Sequence, residues 1–150
     1  MNKRGYFGIG IYHPKTTENI GTLWRSAFIF GASFIFTIGR RYKKQASDTP
    51  DTIKHVPLYD YVSYDDFYSH IPRGCRLIFI EIHEKALPIT NFYHYKQAIY
   101  ILGAEDYGIP ERFFKNESTI YIPSIKTFSM NVAVAGSIVM YDRFIKRMKH

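Results

Sequence analysis

The chain has 150 residues, the length of one ordinary domain able to bury a full core, and residues 1–150 are expected to form that single domain. An apolar share of 46%, with 13 Tyr and 12 Phe, excludes a disordered or fibrous chain. A net charge of +7, from 20 Lys and Arg against 13 Asp and Glu, favours a polyanionic partner such as nucleic acid. No apolar run reaches the roughly 18–20 residues of a membrane span, so no membrane partner is expected. Cys75 is the only cysteine, which removes a disulfide framework and a cysteine-built zinc site, and no metal is expected. A soluble, cytoplasmic protein is the expectation.

In chain order, Tyr6–Tyr12 reads as a strand interrupted by Gly8 and Gly10 and broken by His13-Pro14, not as a signal peptide. Ile20, Leu23, Trp24, Ala27 and Phe28 make the stripe of an amphipathic helix that Gly31 ends. Phe34–Ile38 is a second strand. A basic loop, Arg40-Arg41-Tyr42-Lys43-Lys44, then runs to about Lys54. Val56–Tyr59 reads as a short strand and Tyr64–His70 as a short helix. Arg76–Ile82 and Ala98–Leu102 are continuous apolar runs, the mark of buried parallel strands. Ile109–Phe114 reads as a helical turn, Thr119–Ile122 as a strand, and Asn131–Arg147 as a closing helix. Alternating strands and helices predict an α/β domain with a mainly parallel sheet flanked by helices. Ligands of such sheets bind beyond the carboxyl ends of the strands, here the loops after Tyr12, Leu102 and Ile122.

Three segments stand at those ends. In the first, Asn19 is placed as the N-cap of the helix, with Gly21 and Arg25 four apart on a side away from the apolar stripe. The second, Gly103-Ala104-Glu105-Asp106-Tyr107-Gly108, is a buried strand opening into an acidic, glycine-punctuated loop. It is no phosphate-cradling P-loop, because Gly-Lys-Ser/Thr is absent and an acid would repel phosphate. The third runs from Ile122-Pro123 through Ser129-Met130-Asn131-Val132 to Gly136. Ser129 or Asn131 is expected to cap the last helix. Ala133, Gly136 and Ser137 form a small-residue face open to another backbone.

In order, spacing and content these segments resemble the SpoU–TrmH family of the SPOUT methyltransferases. The likeness rests on Asn19, Gly21 and Arg25; on Gly103, Glu105 and Gly108; and on Ile122, Pro123, Ser129, Asn131 and Val132. It covers nearly the whole chain. The resemblance implies a C-terminal trefoil knot, a homodimer, and S-adenosylmethionine as cofactor. It implies transfer of a methyl group to a ribose 2′-hydroxyl of tRNA or rRNA. Cofactor-binding positions carried over are Ile80, Gly103, Glu105, Gly108, Ile122, Ser129 and Met130. Arg25, Asn19, Glu105, Ser129 and Asn131 carry over as catalytic. Met130 stands where Leu is commoner, and Lys126-Thr127-Phe128 is bulkier than the family pattern. Many relatives carry an extra N-terminal RNA-binding domain; without it, RNA contacts are expected from Arg25, Arg40, Arg41, Lys43 and Lys44, and from Lys146, Arg147 and Lys149.

The alternative is a non-catalytic RNA-binding protein that keeps the knotted fold. Asn19, Arg25, Glu105 and Asn131 argue against decay of the site. A doubly wound nucleotide- or flavin-binding domain would need a glycine-rich loop after the first strand. Pro14-Lys15-Thr16-Thr17-Glu18 provides none.

Overall fold

The computed structural model describes residues 5–39, 55–104, 108–126 and 128–148. The strands are β1 Tyr6–Tyr12, β2 Phe34–Ile38, β3 Leu58–Tyr61, β4 Arg76–Ile80, β5 Leu87–Pro88, β6 Gln97–Gly103 and β7 Ser118–Tyr121. The helices are α1 Thr17–Phe30, α2 Tyr64–Ser69, α3 Glu111–Phe114 and α4 Val132–Met148, with a 3-10 turn at Ile89–Asn91. Among the described residues the strands form one sheet in the order β3-β2-β1-β6-β4-β7-β5, every neighbouring pair parallel.

Period-two alternation splits the core between the two faces of this sheet. Ile9, Ile11, Tyr100, Leu102 and Ile78 pack with Leu23, Trp24 and Ala27 of α1 and Val139 and Met140 of α4. On the other face Phe34, Phe36, Phe79, Ile99 and Ile101 pack with Phe67, Ile109 and Phe114. The glycines of β1 serve this second face. A Cβ on Gly8 or Gly10 would overlap the rings of Phe34 and Phe36, which lie directly against the β1 backbone.

β1 and β2 occupy the residues expected for them, and Gly31 ends α1 in the left-handed conformation at φ 80°. β3 starts two residues later than expected, at Leu58. Val56 instead lies in the core, its carbonyl accepting from Trp24 Nε1 at 2.7 Å. β4 ends at Ile80, and β7 starts and ends one residue early. Pro110 stands just outside α3, which is shorter than expected. β5 and the 3-10 turn have no counterpart in the sequence reading, being too short to show a period.

At the amino-terminal end of the strands, a buried polar network ties the last turns of α4 to the segment entering β6. Arg143 is only 2% exposed and donates to the carbonyls of Tyr95 at 2.7 Å and Lys96 at 2.9 Å. It also donates to the Tyr100 hydroxyl at 3.0 Å and lies over the Phe7 ring at 4.8 Å. His94 sits between Tyr100, 2.7 Å from its Nδ1, and the Asp142 carboxylate, 2.6 Å from its Nε2. A neutral imidazole fits both neighbours: Nε2–H donates to Asp142, and Nδ1 accepts from Tyr100. Burial, reinforced by Arg143 and Lys146, pushes the His94 pKa down to about 4, although hydrogen-bonded Asp142 pulls the other way.

The unfolded chain takes that proton near the ordinary value of about 6.5, so between these limits it binds more protons than the folded one. Stability due to this group is therefore full above about pH 6.5 and is lost as pH falls towards about 4. Urea denaturation at pH 7.5 and at pH 5 should show a lower midpoint at pH 5. His94→Gln should shrink that difference.

Candidate active site

The carboxyl ends of β4, β6 and β7 lie side by side. The register pairs Ile80 with Leu102 and with Ile120, so all three strands end within one residue of the same level. Glu81 continues the ladder by one step, its N–H donating to the Ile120 carbonyl at 3.0 Å. Between these ends lies a cavity of about 300 Å³, within the range of small-ligand sites. Ile80, Gly103, Gly108, Ile122, Ser129 and Met130, the described residues expected at a cofactor, all line it. So do Glu81, Ile82, Ala104, Tyr121, Ser124, Phe128, Val132 and Ala135.

Gly103 is required by the fold itself. A Cβ there would stand 2.9 Å from Ile109 Cγ1 and 3.0 Å from the Gly108 carbonyl carbon, so the returning loop fills the place of a side chain. Gly108 has φ +62°, the left-handed region that disfavours other residues, and its N–H donates to the Ala104 carbonyl at 3.0 Å.

Glu81 was missed by the sequence reading. Its Oε2 accepts from the Ile109 N–H at 2.9 Å, joining the end of β4 to the far side of that loop. Burial pushes its carboxyl above the ordinary carboxylate range, opposed by the N–H groups of Ile109 and Ile82 and by nearby His83. The one signal for it was an acid closing the apolar run Leu77–Ile80.

The two asparagines meet. Asn131 caps α4, its Oδ1 accepting from the N–H groups of Ala133 at 2.9 Å and Val134 at 3.1 Å. Its Nδ2 donates to Asn19 Oδ1 at 3.1 Å. Asn19 is not the N-cap of α1. Thr16 takes that place, its Oγ1 accepting from the Asn19 N–H at 3.3 Å, so Asn19 lies within the first turn. Its side chain is thereby released for the bond to Asn131. Ser129 does not cap α4; it is exposed at the cavity.

Arg25 is exposed, does not line its own chain's cavity, and makes no hydrogen bond or ion pair among the described residues. Of the small-residue face of α4, Gly136 is closed from within the chain and Ser137 is tied to α1. A Cβ on Gly136 would stand 2.5 Å from Leu23 Cδ1 and 3.0 Å from Leu102 Cδ1, and Ser137 donates to Ser26 Oγ at 2.7 Å. What remains open beside it is apolar: Ile29, Val134 and Tyr141 are 67%, 49% and 55% exposed.

Lys146 and Arg147, expected at phosphates, are engaged inside the fold. Lys146 donates to the carbonyls of Ile89 at 2.6 Å and Phe92 at 2.9 Å, and Arg147 to that of His94 at 3.1 Å, at the far end of the sheet from the cavity. Arg40, Arg41, Lys43, Lys44, Lys149 and Glu105 lie outside the described residues. Among the described residues no cluster of His, Cys, Asp and Glu could hold a metal, and no helix is long and apolar enough to cross a membrane.

Residues 7–141 match the SpoU rRNA Methylase family. A tRNA (cytidine(34)-2'-O)-methyltransferase from Beijerinckia indica is 28% identical over 141 residues, covering 88% of this chain and 86% of that protein. A solved structure described as "Structural insights into the 2-OH methylation of C/U34 on tRNA" superposes with a TM-score of 0.83 at 23% identity, covering 98% and 99% of the two chains. The SpoU methyltransferase AviRb from Streptomyces viridochromogenes, in complex with AdoMet, gives a TM-score of 0.77 at 16% identity, covering 95% of this chain and 58% of that one.

Asn131→Ala removes the acceptor for both N–H groups and should lower stability by about 1–2 kcal/mol. Asn131→Asp keeps a capping oxygen and loses the donor to Asn19, so it should lose less. Urea midpoints of the two variants measure the ranking.

Proposed function

Because the chain belongs to the SpoU rRNA Methylase family, we propose that it is a single-domain enzyme transferring a methyl group from S-adenosylmethionine to a ribose 2′-hydroxyl of RNA. The observation that carries this reading is the convergence of the segments after β4, β6 and β7 on one cavity, whose last segment ends at the Asn19–Asn131 pair. The cavity suits the cofactor. Apolar Ile80, Ile122 and Met130 match a nucleoside and the methylene chain of its methionine part, and strand-end backbone groups offer hydrogen bonds to an adenine and a ribose. Membership of the family also supports a C-terminal segment threaded as a trefoil knot.

S-adenosylmethionine supplies an activated methyl group and needs no metal to do so. The chain must hold the ribose oxygen in line and ease the loss of its proton. Arginine stays a cation, so Arg25 stabilises the developing alkoxide and the adjoining phosphate rather than taking the proton. Asn19, Asn131 and Ser129 orient the ribose, and Glu105 belongs to the same catalytic set. Arg25 is exposed away from its own cavity, which supports its reaching the cavity of a second subunit. Exposed Ile29, Val134 and Tyr141 supply the apolar face of that homodimer. The net charge of +7, with Arg40, Arg41, Lys43 and Lys44 in one segment, supports RNA phosphates as partners. The Beijerinckia relative, named for cytidine 34 of a tRNA, supports a tRNA over rRNA as substrate, and a tRNA substrate in turn supports a cytoplasmic place of work.

The test is incubation of tRNA with methyl-labelled cofactor, nuclease digestion, and mass spectrometry of the nucleosides. Label on a ribose 2′-oxygen is expected; label on a base would overturn the reading. Arg25→Ala should lower the transfer rate by about 100-fold or more. Its cofactor affinity, measured by calorimetry, should stay within about twofold of wild type.

A further inference from the structure

Among the described residues lining the cavity, Glu81 carries the only carboxylate, and none is a Lys, Arg or His. The carboxylate is fixed in place. Its Oε2 holds the Ile109 N–H at 2.9 Å, and its two oxygens lie 3.0 and 3.3 Å from where a side chain on Gly108 would begin. Gly108 itself lines the cavity, so the negative charge stands in the cavity wall.

Anchoring the loop does not by itself explain a charge here. Burial still lifts the Glu81 pKa, so the N–H groups of Ile109 and Ile82 and nearby His83 compensate the charge only in part. A neutral glutamine oxygen accepting the Ile109 N–H would avoid that cost. A half-buried carboxylate is repaid by a cation, whose attraction is stronger and less screened there than at the surface. Methyl transfer changes the ligand's charge. It breaks the sulfur–methyl bond, forms the oxygen–methyl bond and releases the hydroxyl proton to solvent. The sulfonium thus becomes a neutral thioether, and the ligand left in the cavity has one positive charge fewer.

We propose that the Glu81 carboxylate makes the cavity prefer S-adenosylmethionine over its neutral product, S-adenosylhomocysteine, and so speeds exchange of product for cofactor. The inference rests on the function proposed above and adds a specificity-determining residue to it.

Titration calorimetry of the purified protein with S-adenosylmethionine, S-adenosylhomocysteine and sinefungin, which carries an ammonium in place of the sulfonium, tests it. In Glu81→Gln the preference for S-adenosylmethionine over S-adenosylhomocysteine should fall about tenfold. Sinefungin should weaken with S-adenosylmethionine, while S-adenosylhomocysteine affinity is kept. Should Glu81→Gln not fold, Glu81→Ser provides the neutral replacement. An unchanged preference, whether or not all three ligands weaken together, overturns the inference and leaves Glu81 as a loop anchor alone. Failure of wild type to bind any of the three overturns the functional reading itself, a result distinct from binding without discrimination.

Discussion

A parallel sheet packed on both faces has no solvent-facing side, and this constraint shapes the molecule. Ile9, Ile78, Phe79, Ile99 and Ile101 are sealed, with exposures of 0%, so the middle of the sheet leaves no room for a ligand between the layers. The strand ends are the places left for it. Because β6 lies between β1 and β4, and β7 beside β4, four carboxyl ends are neighbours although their strands are scattered along the chain. A cavity at that edge follows from strand order, and the loops that leave there form its walls.

Helix α4 is held at both ends by different physics. At its start Asn131 satisfies otherwise unpartnered N–H groups and reaches across to α1, joining positions 112 residues apart with one side chain. At its other end Arg143 is buried as a cation. That is costly, and the carbonyls of Tyr95 and Lys96 with the Phe7 ring offset the cost. Lys146 and Arg147 saturate further carbonyls of the same connection. Arg143, Lys146 and Arg147 of α4 thus stabilise the fold.

The sequence revealed elements wherever a period met clear punctuation. Tyr6–Tyr12 and Phe34–Ile38 are β-rich runs closed by His13-Pro14 and Gly39, and both strands occupy those residues. The start of α1 was placed one turn late because the apolar stripe begins at Ile20, and Asn19 is as good a capping residue as Thr16. Only the three-dimensional path shows that Asn19 has another task. Lys146 and Arg147 look like surface charge because no pattern in a sequence reveals which carbonyls of a distant loop lack partners. Glu81 stayed hidden for a related reason: its partner N–H belongs to Ile109, 28 residues away. The cavity's glycines and isoleucines were legible through their motifs, and its one described carboxylate was not.

The proposed function places the cofactor where the ends of β4, β6 and β7 meet. Amide hydrogen exchange of the protein with and without saturating S-adenosylmethionine tests it most directly. Slowed exchange should be confined to the segments around 80–82, 103–109 and 122–132. Protection centred instead on the Arg143 end of the sheet, or none in these segments, would contradict the account.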